Sequence, residues 1–240
     1  ATDSSGNGYN GTASNVTWQN GRFNEAALFN GSSSKIDLGN NSSNNASVIS
    51  VSLWFRTSAT GSCCYTLINN GGANSGEVGY NLRLNSNGTL RFGTNNTSSA
   101  LDVSGSVNYA DNSWHHVVLS YNAGTYNIYV DGNTTPVISG TNGTFTTTAT
   151  RPTWIGQFSY TSSNIDYFNG TIDQVRLFLS ALSASQAVEL YNDHYQTKFT
   201  DGANTALLFT RGTGSITFSG VDPIPPQGAI RTNTSFSENG

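Results

Sequence analysis

The run YFNGTIDQVRLFLSALSASQAVELY, residues 167–191, constrains the fold more than any other stretch, because it joins a turn, a strand and a short helix in one order. Asn169-Gly170 reads as a tight turn. Residues 171–179 then alternate and offer Ile172, Val175, Leu177 and Leu179 to an interior. Leu182-Ser183 opens an amphipathic helix with Ala187, Leu190 and Tyr191 on one side, so a helix is expected over 183–193.

The same two-residue period recurs at 26–29, 35–38, 50–56, 80–84, 90–93, 115–121, 126–130 and 151–155. Asn87-Gly88 and Asp131-Gly132 read as hairpin turns, and no helix-period segment precedes residue 183. With 26 Gly, abundant Ser, Thr and Asn, and 10% charged residues, the composition suits short strands joined by polar turns. An all-β sandwich of two antiparallel sheets follows, with a short helix near its end. The net charge of −4 and ten scattered Lys and Arg exclude a phosphate-binding surface, hence nucleic acid. No apolar run is long enough for a bilayer, and the polar start shows no signal peptide, though a cleaved one would leave no trace.

Four blocks in order resemble the laminin G-like, concanavalin A-like jelly rolls. They are DSSGNGYNGT (3–12) with GRFNEAALFNGSSSKIDLG (21–39), VSLWFRT (51–57), SWHHVVLSYNAGTYNIYVDG (113–132) and the run at 167–191. The resemblance implies a jelly roll over 1–195, followed by a C-terminal region, 196–240. That region reads as strands near 205–209 and 215–218, a Pro-rich linker at 221–226 and an extended polar arm. In the resembled family an aromatic-rich strand precedes the Asp3 turn, and here only Ala1 and Thr2 do. Residues 205–218, of this chain or a neighbouring copy, are therefore expected to fill that strand's place.

Glycosidases of the resembled fold carry carboxylates at alternate positions of one strand, E-x-D-x-x-E. Glu25, Glu77, Glu189 and Glu238 have no such partners and no Gly-x-Ser-x-Gly elbow occurs, so no enzyme is expected. His115 and His116 fall on opposite faces of a strand and cannot share a metal. Asp3, Ser5 and Asn7 alternate oxygen donors along a Gly-rich turn, and Asp173 could add a carboxylate. The resembled family often holds a structural calcium at such a place; ordinary turn chemistry explains the same residues. Cys63-Cys64 are adjacent, which leaves two free thiols, a vicinal bridge or crosslinks to another chain, the vicinal bridge being favoured in an extracellular protein. Many Asn-x-Ser/Thr triplets, among them Asn10, Asn87 and Asn169, read either as turn chemistry or as glycosylation sites.

Aromatic side chains on loops are natural sugar platforms, and Tyr65, Tyr160 and Tyr167 lie beside Asn69, Asn70, Gln157 and Asn164. Trp54, Trp114 and Trp154 fall in apparent strands and read as core. The idiom NGSSSKIDLG…SWHHVV…FNGTIDQVRLF resembles copies in phage virion and fibre proteins and in bacterial surface proteins. That implies a non-enzymatic extracellular or virion-surface module that binds cell-surface or marine polysaccharide for attachment. The alternative is a structural unit of a filament, fibre or capsid surface that contacts neighbouring copies of itself through its chain ends.

Overall fold

The computed structural model describes residues 1–5, 7–40, 47–61, 64–71, 79–94, 101–141, 152–159 and 165–193, and strand backbones at 200–201, 204–205 and 207–209. The expected strands at 205–209 coincide with described backbone; the expected strand at 215–218, the Pro-rich linker and the arm lie outside the described residues. In chain order the strands are β1 (Thr12–Ser14), β2 (Thr17–Asn20), β3 (Glu25–Asn30), β4 (Lys35–Asp37), β5 (Val48–Arg56), β6 (Tyr65–Asn70), β7 (Tyr80–Leu84), β8 (Thr89–Thr94), β9 (Leu101–Asn108) and β10 (His115–Asn122). There follow β11 (Thr125–Val130), β12 (Ile138–Thr141), β13 (Thr153–Ile155), β14 (Gln157–Ser159), β15 (Ile165–Tyr167) and β16 (Asn169–Phe178). Helix α1 (Ala184–Asn192) and short strands β17 (Thr200–Asp201), β18 (Asn204–Thr205) and β19 (Leu207–Phe209) complete the elements.

Two large antiparallel sheets form a jelly-roll sandwich. One runs β1-β4-β13-β6-β7-β8-β9; the other runs β12-β11-β10-β5-β16-β3-β2, with β19 added on β16 as its eighth strand. Alternation decides which side chains meet between them. Phe29, Val51, Leu53, Phe55, Val117, Leu119 and Tyr121 from the eight-stranded sheet face Leu67, Ile68, Leu82, Leu84, Leu90 and Phe92 from the seven-stranded one, all buried. Each such side chain contributes about 1.5–3 kcal/mol relative to exposure.

β16 sits between β5 and β3 and carries an irregularity that its sequence conceals. Gln174 takes φ 50, and the register with β5 shifts between Asp173 and Arg176. This extra residue, a β-bulge, is why Ile172 and Val175 share the core face despite a spacing of three. It also turns Phe178 to the opposite face, beneath α1; Leu179, expected inside, follows the end of the strand and is 40% exposed. Asn169-Gly170 is not a turn: it opens β16, opposite Asn30 and Phe29 of β3. Gly170 holds φ 148, and a Cβ there would meet the Arg56 carbonyl oxygen at 2.4 Å.

The β3 side of β16 is shared. β3 pairs with it from Asn169 to Ile172, and past that point β19 takes over in the register Val175↔Phe209, Arg176↔Leu208 and Leu177↔Leu207. Part of the expected segment 205–218 thus lies on the central strand of its own chain. The turn between β10 and β11 is Ala123-Gly124, with φ 44 and 104, whereas Asp131-Gly132 begins the longer connection to β12.

Helix α1 begins with a capping box. The Ser183 hydroxyl accepts from the Gln186 N–H, and the Gln186 side chain accepts from the Ser183 N–H. Ala187 and Leu190 bury against Val118, Tyr129, Phe178 and Leu182 on the outer face of the eight-stranded sheet. Tyr191 stacks on Trp54 at 5.4 Å between ring centres.

Candidate functional site

The outer face of the eight-stranded sheet is closed by structure. Trp54 packs between Tyr191, Phe23 and His116, and the Arg22 guanidinium covers its ring at 5.0 Å. Asp173 anchors the loop that brings Arg22 and Phe23 there: its Oδ2 accepts from the Phe23 N–H at 2.9 Å and its Oδ1 from the Gln174 N–H at 2.8 Å. Burial pushes the Asp173 carboxyl up to about 6, against the pull of these N–H donors, that of Arg22, and the positive charge of Arg176. His116 binds the Ser52 hydroxyl at 2.8 Å, and burial, with Arg176 nearby, pushes it down to about 3. His115 turns the other way, its Nδ1 on Asp131 at 2.8 Å and its Nε2 on Asp111 at 3.1 Å. Burial pulls its pKa down, but the two carboxylates outweigh it and the net shift is upward.

Between the sheets lies a cavity of about 280 Å³ beside β2, β3 and β16. Trp18, Phe29, Ile36 and Ile172 wall it, with Glu25 and Asp173 among its few polar groups.

The outer face of the seven-stranded sheet is different in kind. Directly paired residues share a face, and the register carries one unbroken row across six strands: Asp37, Trp154, Asn69, Asn81, Gly93 and Asp102. At the usual strand spacing the row spans roughly 24 Å. A second row holds Thr66, Arg83, Arg91 and Ser104. Gly93 belongs to the design of this face: a Cβ there would stand 3.0 Å from both polar atoms of the Asn81 amide.

The polar groups of the two rows are held in place. The Trp154 Nε1–H donates to Asp37 at 3.0 Å, and Lys35 lies over the indole at 5.2 Å. Arg91 grips Asp102 with two parallel hydrogen bonds, which hold that carboxyl below the usual carboxylate range although burial opposes them. Strands β14 and β15 form a hairpin tied to β6, where the Gly156 N–H donates to Leu67 at 3.0 Å. From that hairpin Asp166 meets Arg83 at 3.3 Å and Phe158 lies under its guanidinium at 4.9 Å. Asn69 and Asn81 at the centre are buried; Asp37 and Asp102 at the ends are 29% and 52% exposed in their side chains.

Of the residues expected to bind ligand, Asn69 lies in this row, while Gln157 pairs with Tyr167 across the β14–β15 hairpin, on the face opposite to Phe158 and Asp166, which reach Arg83. Tyr65 does not join them: it lies in a strand rather than a loop, its ring is in the core, and its hydroxyl donates to the Thr60 carbonyl. Tyr160 and Asn164 lie outside the described residues. Trp154, expected in the core, is buried at 9% exposure, on the outer side of this sheet between Asp37 and Asn69. The partners Asn81, Arg83, Arg91 and Asp102 were not singled out in the sequence; the signal that could have found them is polar residues alternating with core residues in β7, β8 and β9.

The residues expected to hold calcium are engaged otherwise. Asp3 accepts from the Ser5 N–H and hydroxyl and from the Tyr9 N–H at 2.8, 2.8 and 2.9 Å, and the Ser5 hydroxyl accepts from the Asn7 N–H at 3.2 Å. Asp173 serves the separate loop described above. These oxygens face N–H donors of their own loops, which close the Asp3 turn on itself. Among the described residues no three His, Cys, Asp or Glu side chains gather for a metal. Cys64 is disulfide-bonded, takes φ 69, and its Sγ lies 3.4 Å from Arg91 Nη1; the other cysteine of the chain, Cys63, lies outside the described residues.

Solved structures share this fold. Domain 4 of AbnA, an extracellular arabinanase from Geobacillus stearothermophilus solved in complex with arabinotriose, matches 79% of this chain and 92% of its own with TM-score 0.62 and 23% identity. The CBM40 of Ruminococcus gnavus IT-sialidase, bound to alpha2,3 sialyllactose, matches 62% and 84% with TM-score 0.54 and 13% identity. Botulinum neurotoxin type C, whose cell entry depends on two ganglioside molecules, matches 80% of this chain but 48% of its own, at TM-score 0.54 and 18% identity. At these identities the likeness is one of fold. No curated protein sequence matches significantly. A family model does match, across residues 30–187, well over half of the sequence. The chain therefore belongs to the concanavalin A-like lectin/glucanases superfamily, in its laminin G-like branch.

Proposed function

We propose that the chain is a non-catalytic glycan-binding domain whose site is the outer face of the seven-stranded sheet. The carrying observation is the row from Asp37 to Asp102, which sets carboxylates, amides and an indole across six strands at fixed spacing. A sugar hydroxyl both donates and accepts, and the accessible ends of the row, Asp37 beside Lys35 and Asp102 beside Arg91, offer both. The three aspartates on this face, Asp37, Asp102 and Asp166, are each paired to a cation, an arrangement suited to holding geometry and not to trading protons with a glycosidic oxygen. The arabinotriose and sialyllactose bound by the two fold relatives support a glycan as ligand. The disulfide at Cys64 supports an oxidising setting outside the cell or on a particle surface.

A glycan array followed by calorimetry tests this. Alanine at Asp37 or at Asp102 should each weaken the best ligand about tenfold, the worth of one good hydrogen bond, without altering the far-ultraviolet circular dichroism. Unchanged affinity in both variants refutes the site.

A second reading, a structural unit that exchanges strands, draws on β19. The three residue pairs it makes with β16 could be made equally by the β19 of a neighbouring copy. Concentration-dependent oligomers in light scattering, lost on deleting residues 196–240, would favour it; a monomer at every concentration would remove it.

A further inference from the structure

We infer that the glycan taken by this face is neutral, and that sulfated or uronate-bearing chains are excluded; the inference rests on the glycan-binding reading above. Every described cation on the face arrives with its own carboxylate. Lys35 stands 3.9 Å from Asp37, Arg83 3.3 Å from Asp166, and Arg91 is held by two hydrogen bonds to Asp102. The other described basic side chains lie on the opposite sheet. There Arg176 pairs with Asp193, and Arg22 and Arg56 lie over the rings of Trp54 and Trp114 at 5.0 and 5.1 Å. A sulfate or carboxylate reaching the outer face would have to displace an aspartate from a formed pair or settle beside it, like charge against like charge. The net charge of −4 adds repulsion at longer range.

A neutral sugar meets no such obstacle. Its hydroxyls can donate to the outer lone pairs of Asp37 and Asp102 and accept from Lys35 and Arg91, leaving each ion pair intact. Arg91 and Asp102 are the accessible pair, with side chains 23% and 52% exposed, and together they present a donor and an acceptor side by side, as two adjacent hydroxyls of a sugar ring require.

Calorimetry with neutral polysaccharides (arabinan, laminarin) and anionic ones (alginate, a sulfated galactan), at about 50 and about 500 mM salt, tests the inference on the wild type and on Asp102→Asn. The wild type should bind a neutral chain with less than about a twofold change across that salt range, and no anionic one. Asp102→Asn strips the charge that neutralises Arg91 and should gain at least about tenfold for an anionic chain, with the gain fading at high salt. Asp37→Asn, at the other end of the row, gives the same comparison should Asp102→Asn not fold. Salt-sensitive preference of the wild type for anionic chains overturns the inference and leaves the glycan-binding reading standing. Absence of any gain in both variants likewise overturns it. Binding of neither class overturns both.

Discussion

Asp193 is the residue whose loss should tell most about how the helix is fastened to the sheet. Its carboxylate receives Arg176 Nη1 at 2.8 Å, and the Arg176 side chain is only 3% exposed while that of Asp193 is 17%. Arg176 also donates to the Gln174 side-chain oxygen at 3.2 Å. Burial lowers the Arg176 pKa, and the Asp193 charge opposes that shift, which marks the carboxylate as the principal compensation for a desolvated guanidinium. Removing one partner of a buried pair costs about 3–5 kcal/mol. Gln174 and Asp173 remain in Asp193→Ala, so the lower end applies, about 3 kcal/mol. For a chain of this size that lowers Tm by roughly 6–12 °C. Replacing both partners, as Arg176→Met with Asp193→Leu, removes the stranded charge and should recover most of the loss. Thermal and urea melts followed by tryptophan fluorescence measure both. A cost under about 1 kcal/mol for Asp193→Ala, or a double variant no better than the single, would refute the argument.

Three further outcomes are expected. Asp173 holds its proton more tightly folded than unfolded, so its contribution to stability is complete below the ordinary carboxyl pKa of 3.8 and is lost as pH rises through about 6. The difference in Tm between the wild type and Asp173→Asn should therefore fall between pH 4 and pH 7, and a constant difference would refute the assignment. In proton NMR, His115 should titrate above the ordinary histidine value of 6.5 and His116 should stay neutral down to about 3, with Asp131→Asn lowering the His115 value and leaving His116 unmoved. Chelator should leave Tm unchanged, because the Asp3 turn is closed by its own N–H donors; a fall of more than a few degrees would show that the turn opens to a cation.

Strands with a strict period of two and large apolar residues, such as β3, β5, β7, β10 and β11, were legible because alternation alone determines which face is buried. Others were not. β1, β2, β9, β12, β14 and β15 are short or mainly polar, and their extended form depends on the partner beside them more than on their own residues. The bulge at Gln174 reverses the face of all that follows, which keeps Val175 and Leu177 in the core and sends Phe178 beneath α1; Leu179 is exposed because β16 ends before it. Of the candidate site, only Asn69 was picked from the sequence; Gln157 and Tyr167 were picked for nearness to loops and pair on the face of the β14–β15 hairpin opposite to Phe158 and Asp166. The row from Asp37 to Asp102 spans segments far apart in the chain, and only the strand register aligns them.

The place of β16 has a consequence for the order of events at the ribosome. β16 lies between β3 and β5, so the eight-stranded sheet cannot join its two halves until residues 169–178 have been made. Over a hundred residues separate the end of β5 at Arg56 from the start of β16 at Asn169, and at about 5–20 residues per second their synthesis takes roughly 6–23 s. During that interval β3 and β5 are without the strand that joins them, each a ready template for another chain. A domain built this way calls for a chaperone that masks strand edges early, and heterologous yield should respond more to slower growth and holdase supply than to any stabilising change made in the finished core.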